Sequence, residues 1–222
     1  MPDKKAEDVK MEKIRKEGEE MARIANKYKV EVIPDEYTPK VNSKIKIVSD
    51  FVADNKDMLS SIAIYLSQPQ RSMRAVGLAA NQISINGKRL MKNFFMMRQK
   101  MSGNSGFDII FNPEILEKRG TRLKKYESCL TWENDNVEAY RWPFIIVKFQ
   151  DMNGTVNDGV AITGFEAQVW QHEIDHLNGV EEILVPKTEK VKDEVIIIGR
   201  NNVCMCGSGK KYKKCCLFYD NC

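Results

Sequence analysis

The chain has no apolar run long enough to cross a bilayer. Its longest, Phe144–Val147 and Val195–Ile198, are of strand length. No apolar stretch follows the charged start Met1-Pro2-Asp3-Lys4-Lys5, so a secretory leader is not expected and a cytoplasmic protein without a membrane partner is. An excess of one charge sign is also lacking. Lys and Arg number 35 against 31 Asp and Glu, a net charge of +4, so bulk charge gives no argument for nucleic acid and only its distribution could. There is no internal repeat of useful length. What is present is ordinary for a folded protein: 222 residues, 42% hydrophobic and 30% charged. That length suffices for one buried core plus a small appendage and falls short of two full-sized domains. In a reducing compartment, the six cysteines point to metal binding or catalysis rather than disulfides.

Residues 1–29 are dense in both charge signs, and Ile14, Met21, Ile24 and Tyr28 recur at helical spacing. A solvated N-terminal helix is expected, with Glu12/Lys16 and Glu19/Arg23 as i,i+4 pairs. Residues 30–199 read as the main domain. Val52–Leu66 has helical periodicity, Asp108–Phe111 and Phe144–Asp151 look like strands, and Asn153-Gly154 signals a two-residue hairpin. Gly164–Leu177 predicts a helix, with Thr163 and Glu166 as a capping box and Asn178-Gly179 as a left-handed stop. Strands precede this helix instead of alternating with it, so the fold class is α+β. Residues 200–222 form a tail of different composition.

Only two histidines occur, and both lie in His172-Glu173-Ile174-Asp175-His176. Four residues is about one helical turn, so both imidazoles project from one face and can bind one metal ion. Glu173 sits where it could take a proton from a metal-bound water. A catalytic site of this sort needs a third ligand and an open position. Glu189 or Glu194 would serve a zinc peptidase, although Glu194 runs into the strand-like Val195–Ile198. Cys129, the only cysteine in the body of the chain, is the other candidate; otherwise it is a small buried apolar residue.

Three segments resemble, in order, the signatures of peptide deformylases: Ala75-Val-Gly-Leu-Ala-Ala-Asn-Gln82, Glu127-Ser-Cys-Leu-Thr131 and Gln171-His-Glu-Ile-Asp-His-Leu-Asn-Gly179. The likeness covers roughly residues 30–184 and takes in Phe111-Asn-Pro-Glu-Ile115. It implies antiparallel sheets packed around a central helix carrying the two histidines. It also implies removal of the formyl group from the N-terminal formyl-methionine of nascent polypeptides, with release of formate. Cys129, His172 and His176 would hold the metal, usually Fe²⁺, with Zn²⁺, Ni²⁺ or Co²⁺ able to occupy the site. Glu173 would move the proton, while the Gln82 amide and the Leu130 backbone N–H stabilise the oxyanion. Substrate main chain would add like a strand near Val76, Gly77 and Ser128. Phe165 and Val169 would join Val76 in walling the methionine pocket, and Arg141 and Asp175 would form a pair fixing the helix.

The sequence departs from the family at Ala75 and Ser128, where glycine is usual, and at Thr131, where serine is. The first two bear on substrate fit and rate. In the tail, Cys204, Cys206, Cys215 and Cys216 suit a closed tetrahedral Zn²⁺ site. The run resembles the SEC-C zinc-binding motif, with Cys216 where histidine is common. Lys210, Lys211, Lys213, Lys214 and Arg200 make the tail basic, a surface suited to RNA or an acidic protein and hence to the ribosome. Two other readings stand beside the first: a different zinc amidase or peptidase on the same helix, and a deformylase-like protein that has lost catalysis and works as a ribosome-associated binding module.

Overall fold

Strand β5, Phe94–Arg98, divides the molecule into two cores. Successive strand residues point to opposite faces. Phe94 and Met96 join one cluster and Phe95 and Met97 the other, so the strand is apolar on both sides. The computed structural model describes residues 4–34, 38–68, 76–99, 106–131, 137–179, 200–204 and 209–214. Helix α1 spans Lys4–Lys27, β1 Val30–Val32, α2 Val48–Asp54 and α3 Lys56–Ser67. Strands β2 (Gly77–Ala79), β3 (Ile83–Ile85) and β4 (Lys88–Arg89) precede β5. After it come β6 (Phe107–Arg119), β7 (Leu123–Glu127), β8 (Val137–Arg141), β9 (Phe144–Gln150) and β10 (Val156–Thr163). Helix α4 runs from Gly164 to Asn178.

The main sheet has the order β10-β9-β6-β5-β2 and is antiparallel throughout. Helices α2 and α3 cover one face through Val48, Leu59, Ile62 and Leu66. Helix α4 covers the other through Ala167, Val169, Trp170, Ile174 and Leu177. Trp170 meets Phe95 and Phe149 edge-on, with ring centroids 5.1 and 5.2 Å away. Two smaller sheets complete the body: β1-β3-β4 and the β7-β8 ribbon. The α+β expectation therefore holds, with antiparallel sheets and helices. Among the described residues, β2 is an edge strand of the main sheet.

Four local expectations are corrected. Val52–Leu66 is not one helix: the turn at Asn55 separates α2 from α3, and its side chain bonds the Phe51 carbonyl at 2.8 Å. The hairpin after β9 is not the two-residue Asn-Gly kind. The Gly154 N–H donates to the Asp151 carbonyl and the Asp151 N–H to the Thr155 carbonyl, and only Gly154 is left-handed (φ +80). The Asp151 carboxylate, which accepts the Asn153 and Thr155 N–H groups at 2.9 Å, stabilises this longer loop. Thr163 precedes α4 but its hydroxyl caps nothing. It is the last paired residue of β10, and Gly164 turns the corner with φ +61 and its N–H on Pro143. Glu19 pairs with Arg15 at 2.5 Å, whereas Arg23 takes Glu20 and reaches Asp57 of α3. Glu12–Lys16 forms as expected at 3.4 Å. The expected helix α1 is thus present and docks its C-terminal end on α3, helped by Lys27–Asp57 at 2.7 Å and Ser61 bonding the Ile24 carbonyl. The strand expected at Val195–Ile198, with Glu189 and Glu194, lies outside the described residues, as does Ala75.

Candidate metal centre and substrate pocket

Helix α4 ends where the sequence placed its stop. Gly179 adopts φ +64 and its N–H reaches the Asp175 and His176 carbonyls. A side chain there would also collide with the Lys40 backbone, at 2.8 Å from its nitrogen. One turn back, His176 is anchored at its carbonyl by the Thr38 hydroxyl (2.9 Å) and the Asn81 amide. His172 and His176 present their Nε2 atoms to each other at 3.1 Å, and Cys129 Sγ lies 3.3 Å from His176 Nε2. One donor atom from each of Cys129, His172 and His176 falls within 4.8 Å of the others. Residues 43 to 47 positions apart in the chain have been brought to one point by the β7–β8 ribbon and α4. A thiol and two imidazole nitrogens are a donor set for a soft or borderline divalent ion.

Gln82 closes the 3₁₀ turn that follows β2 and is buried. Its Oε1 accepts the Ala79 N–H at 2.8 Å. That bond fixes the amide, so Nε2 faces Cys129 Sγ at 3.2 Å and His176 Nε2 at 3.1 Å. Glu173 is buried on the same side, and its Oε2 makes no hydrogen bond. Burial pushes its carboxyl up to about 7, against the pull of His172. Burial likewise drives His176 well below its usual range, aided by the neighbouring His172.

Glu127, which the sequence marks only as the first residue of a motif, organises the site. Its carboxylate accepts two bonds from Arg141, at 2.8 and 2.7 Å, and one from His172 Nδ1 at 2.9 Å. Burial alone would raise Glu127; Arg141 and His172 outweigh it and hold the carboxyl at about 2. Burial opposes the His172 cation, but Cys129 and Glu127 lift it to about 10. The Glu127 contact makes Nδ1 the donor, so a cation would bind at Nε2, displacing the proton that this site otherwise holds there. Arg141 also pairs with Asp175 of α4, as expected, and it does so buried rather than at the surface.

A pocket of about 120 Å³ opens over these groups. Val76, Gly77, Ser128, Phe165 and Val169, all named from the sequence, line it together with Gln82, Cys129, Leu130, His172 and Glu173. Phe165, at 41% exposure, stands at the rim, while Val169 is buried. Tyr126 and Gln168 also line the pocket and were not foreseen. Gln168 was detectable in principle, being one turn before His172 on the same helix face.

In the tail, Val203 bridges Lys211, and the Cys204 N–H donates to the Lys210 carbonyl at 2.7 Å. Cys204 is buried, with Phe144 and Tyr212 packed against it. Cys206, Cys215 and Cys216 lie outside the described residues. No described helix is long and apolar enough to cross a membrane.

The family described as polypeptide deformylase matches residues 4–190, and the SEC-C motif matches residues 200–218. A peptide deformylase from Thermodesulfovibrio yellowstonii is 30% identical over 162 residues, covering 73% of this chain and 89% of that one. The peptide deformylase of Thermotoga petrophila is 33% identical over 153 residues, 69% of this chain and 83% of its own. Among solved structures, Thermotoga maritima peptide deformylase superposes with a TM-score of 0.50 at 30% identity, covering 69% of this chain and 92% of that chain. A probable peptide deformylase from Synechococcus phage S-SSM7 shares the fold, with a TM-score of 0.55 at 22% identity, over 68% of this chain and 96% of that chain. The chain belongs to the peptide deformylase family.

Proposed function

We propose that this chain hydrolyses the formamide of N-formylmethionyl nascent peptides, releasing formate, with Cys129, His172 and His176 as metal ligands and Glu173 as proton carrier. The observation that carries the assignment of ligands is the convergence of one thiol and two imidazole nitrogens within 4.8 Å. The donor chemistry fits a divalent ion, and Glu127 on His172 Nδ1 supplies the outer partner such ligands need. Fe²⁺ is the ion we assign, with Zn²⁺, Ni²⁺ or Co²⁺ as possible substitutes.

When bound, the ion supplies a Lewis acid that polarises the formyl carbonyl and brings the pKa of water near neutrality. The protein's own groups do the rest. Glu173 accepts a proton from the attacking water and hands it to the departing amine nitrogen. Its burial raises the carboxyl's affinity for a proton, as a group that must take and return one requires. The carbon–nitrogen bond breaks, the water oxygen ends in formate, and the proton ends on the new amino group. The Gln82 Nε2, pre-oriented by Ala79, donates to the oxyanion as it develops, and the Leu130 N–H is assigned the same task. Substrate main chain adds beside Val76 and Gly77, where β2 is the edge of the main sheet among the described residues, with Ser128 also lining the pocket. Val76, Phe165 and Val169 wall the pocket for the first side chain.

We divide the chain into an N-terminal helical extension (1–29), the catalytic domain (30–199) with its helix bearing both histidines at the centre, and the tail (200–222). In the tail, Cys204, Cys206, Cys215 and Cys216 would hold a structural Zn²⁺, and its lysines would dock the enzyme on the ribosome. The assignment of ligands is tested with Cys129→Ala. Metal content should fall by one equivalent and formate release should vanish. A variant that kept its full metal content would return the third ligand to a carboxylate, as in a zinc peptidase.

A further inference from the structure

Two glutamines on α4, Gln168 and Gln171, lie three residues apart and are used differently. The Gln171 amide is fully engaged: its Oε1 accepts the Trp142 N–H, and its Nε2 donates to the Trp142 and Ala167 carbonyls. The Gln168 side chain, half-buried in the pocket wall, forms no hydrogen bond among the described residues. The other polar side chains of the pocket are mostly committed. Glu127 holds Arg141 and His172, the Tyr126 hydroxyl bonds Glu138 at 3.3 Å, and Gln82 is fixed by Ala79. Gln168 sits between Phe165 and His172 at one-turn spacing, so its amide stands on the face that carries the metal ligand and the rim.

An amide offers two donors and an acceptor. A wholly apolar side chain filling the pocket takes water from this amide and gives nothing back, whereas a side chain with an oxygen in it restores the bond. We infer that Gln168 determines specificity, and that beside formyl-methionyl chains the pocket takes N-formyl peptides whose first side chain has methionine's length and carries a polar oxygen, such as methionine sulfoxide or glutamine. This rests on the reading of the pocket as the site of deformylation and adds its substrate class. The reaction is the same hydrolysis: the formyl carbon–nitrogen bond breaks, formate leaves, and the side chain is unchanged, so no oxidant or reductant is required.

The test measures kcat/KM for formyl-methionyl, formyl-methionine-sulfoxide, formyl-glutaminyl and formyl-norleucyl tripeptides of otherwise identical sequence. It uses the full-length metal-loaded protein and its Gln168→Leu and Gln168→Met variants. The ratio of sulfoxide to norleucine activity should fall about tenfold in both variants, the worth of one hydrogen bond. A ratio unchanged within about twofold, or an equal loss on all four substrates, would overturn the assignment, the latter because Gln168 would then hold the peptide main chain. If the wild type released formate from none of them, the deformylase reading would fall and this inference with it.

Discussion

His172 Nδ1 lies 2.9 Å from a Glu127 oxygen, so a carboxylate two residues from Cys129 orients a histidine 45 residues away, both of them proposed metal ligands. The same carboxylate is clasped by Arg141. Glu127→Gln should keep the fold's shape but weaken the metal about 10–100-fold. Competition with a chelator measures this; an unchanged affinity would reduce Glu127 to a packing role.

The acid side of the stability curve should also carry the mark of Glu127. Its folded pKa, about 2, lies below its ordinary value of 4.5. The contribution is therefore complete above pH 4.5 and is lost as pH falls toward 2. Urea midpoints between pH 6 and 2 should fall more steeply for the wild type than for Glu127→Gln. Parallel curves would contradict the assignment.

Arg141 is buried between two carboxylates, Glu127 and Asp175. Arg141→Met removes the guanidinium that both carboxylates share. A loss of about 3–5 kcal/mol is expected from removing one side of such a buried pair. Denaturant unfolding gives the number, and a loss under about 1 kcal/mol would mean the pair behaves as if exposed.

Gly77 is small for a reason that involves chemistry. A Cβ there would come within 2.9 Å of the Glu173 carboxyl carbon. Gly77→Ala should push Glu173 aside and lower kcat by about 10²-fold, as a misplaced proton carrier does, with little change in melting temperature. Equal activity would show that Glu173 has slack.

Much of this site was legible because it is written in short-range spacing. His172 and His176 at one-turn separation, the Gly179 stop and the lone body cysteine are local facts, and motif resemblance joined Gln82 to them. The chain orders them as expected because α4 must bury Ala167, Trp170 and Ile174 on the sheet, which turns the histidine face toward β2 and the Cys129 loop. What escaped was tertiary. Glu127 acquires its role only when β8 lays Arg141 beside it, in the register Glu127↔Val137 to Leu123↔Arg141. Gln168 differs from Gln171 only by which faces Trp142. The Thr163 capping signal failed because β10 claims that residue first, and the Asn153-Gly154 turn was overridden by the Asp151 side chain.

The measurement that bears most directly on the central claim is formate release from a formyl-methionyl tripeptide. The protein would be prepared without oxygen and loaded with Fe²⁺, beside Glu173→Ala loaded in the same way. Release by the wild type, and a loss of at least about 10³-fold in a variant that still binds its metal, is the predicted result. Equal release by both would remove Glu173 from the chemistry, and no release by a metal-loaded wild type would contradict deformylation itself.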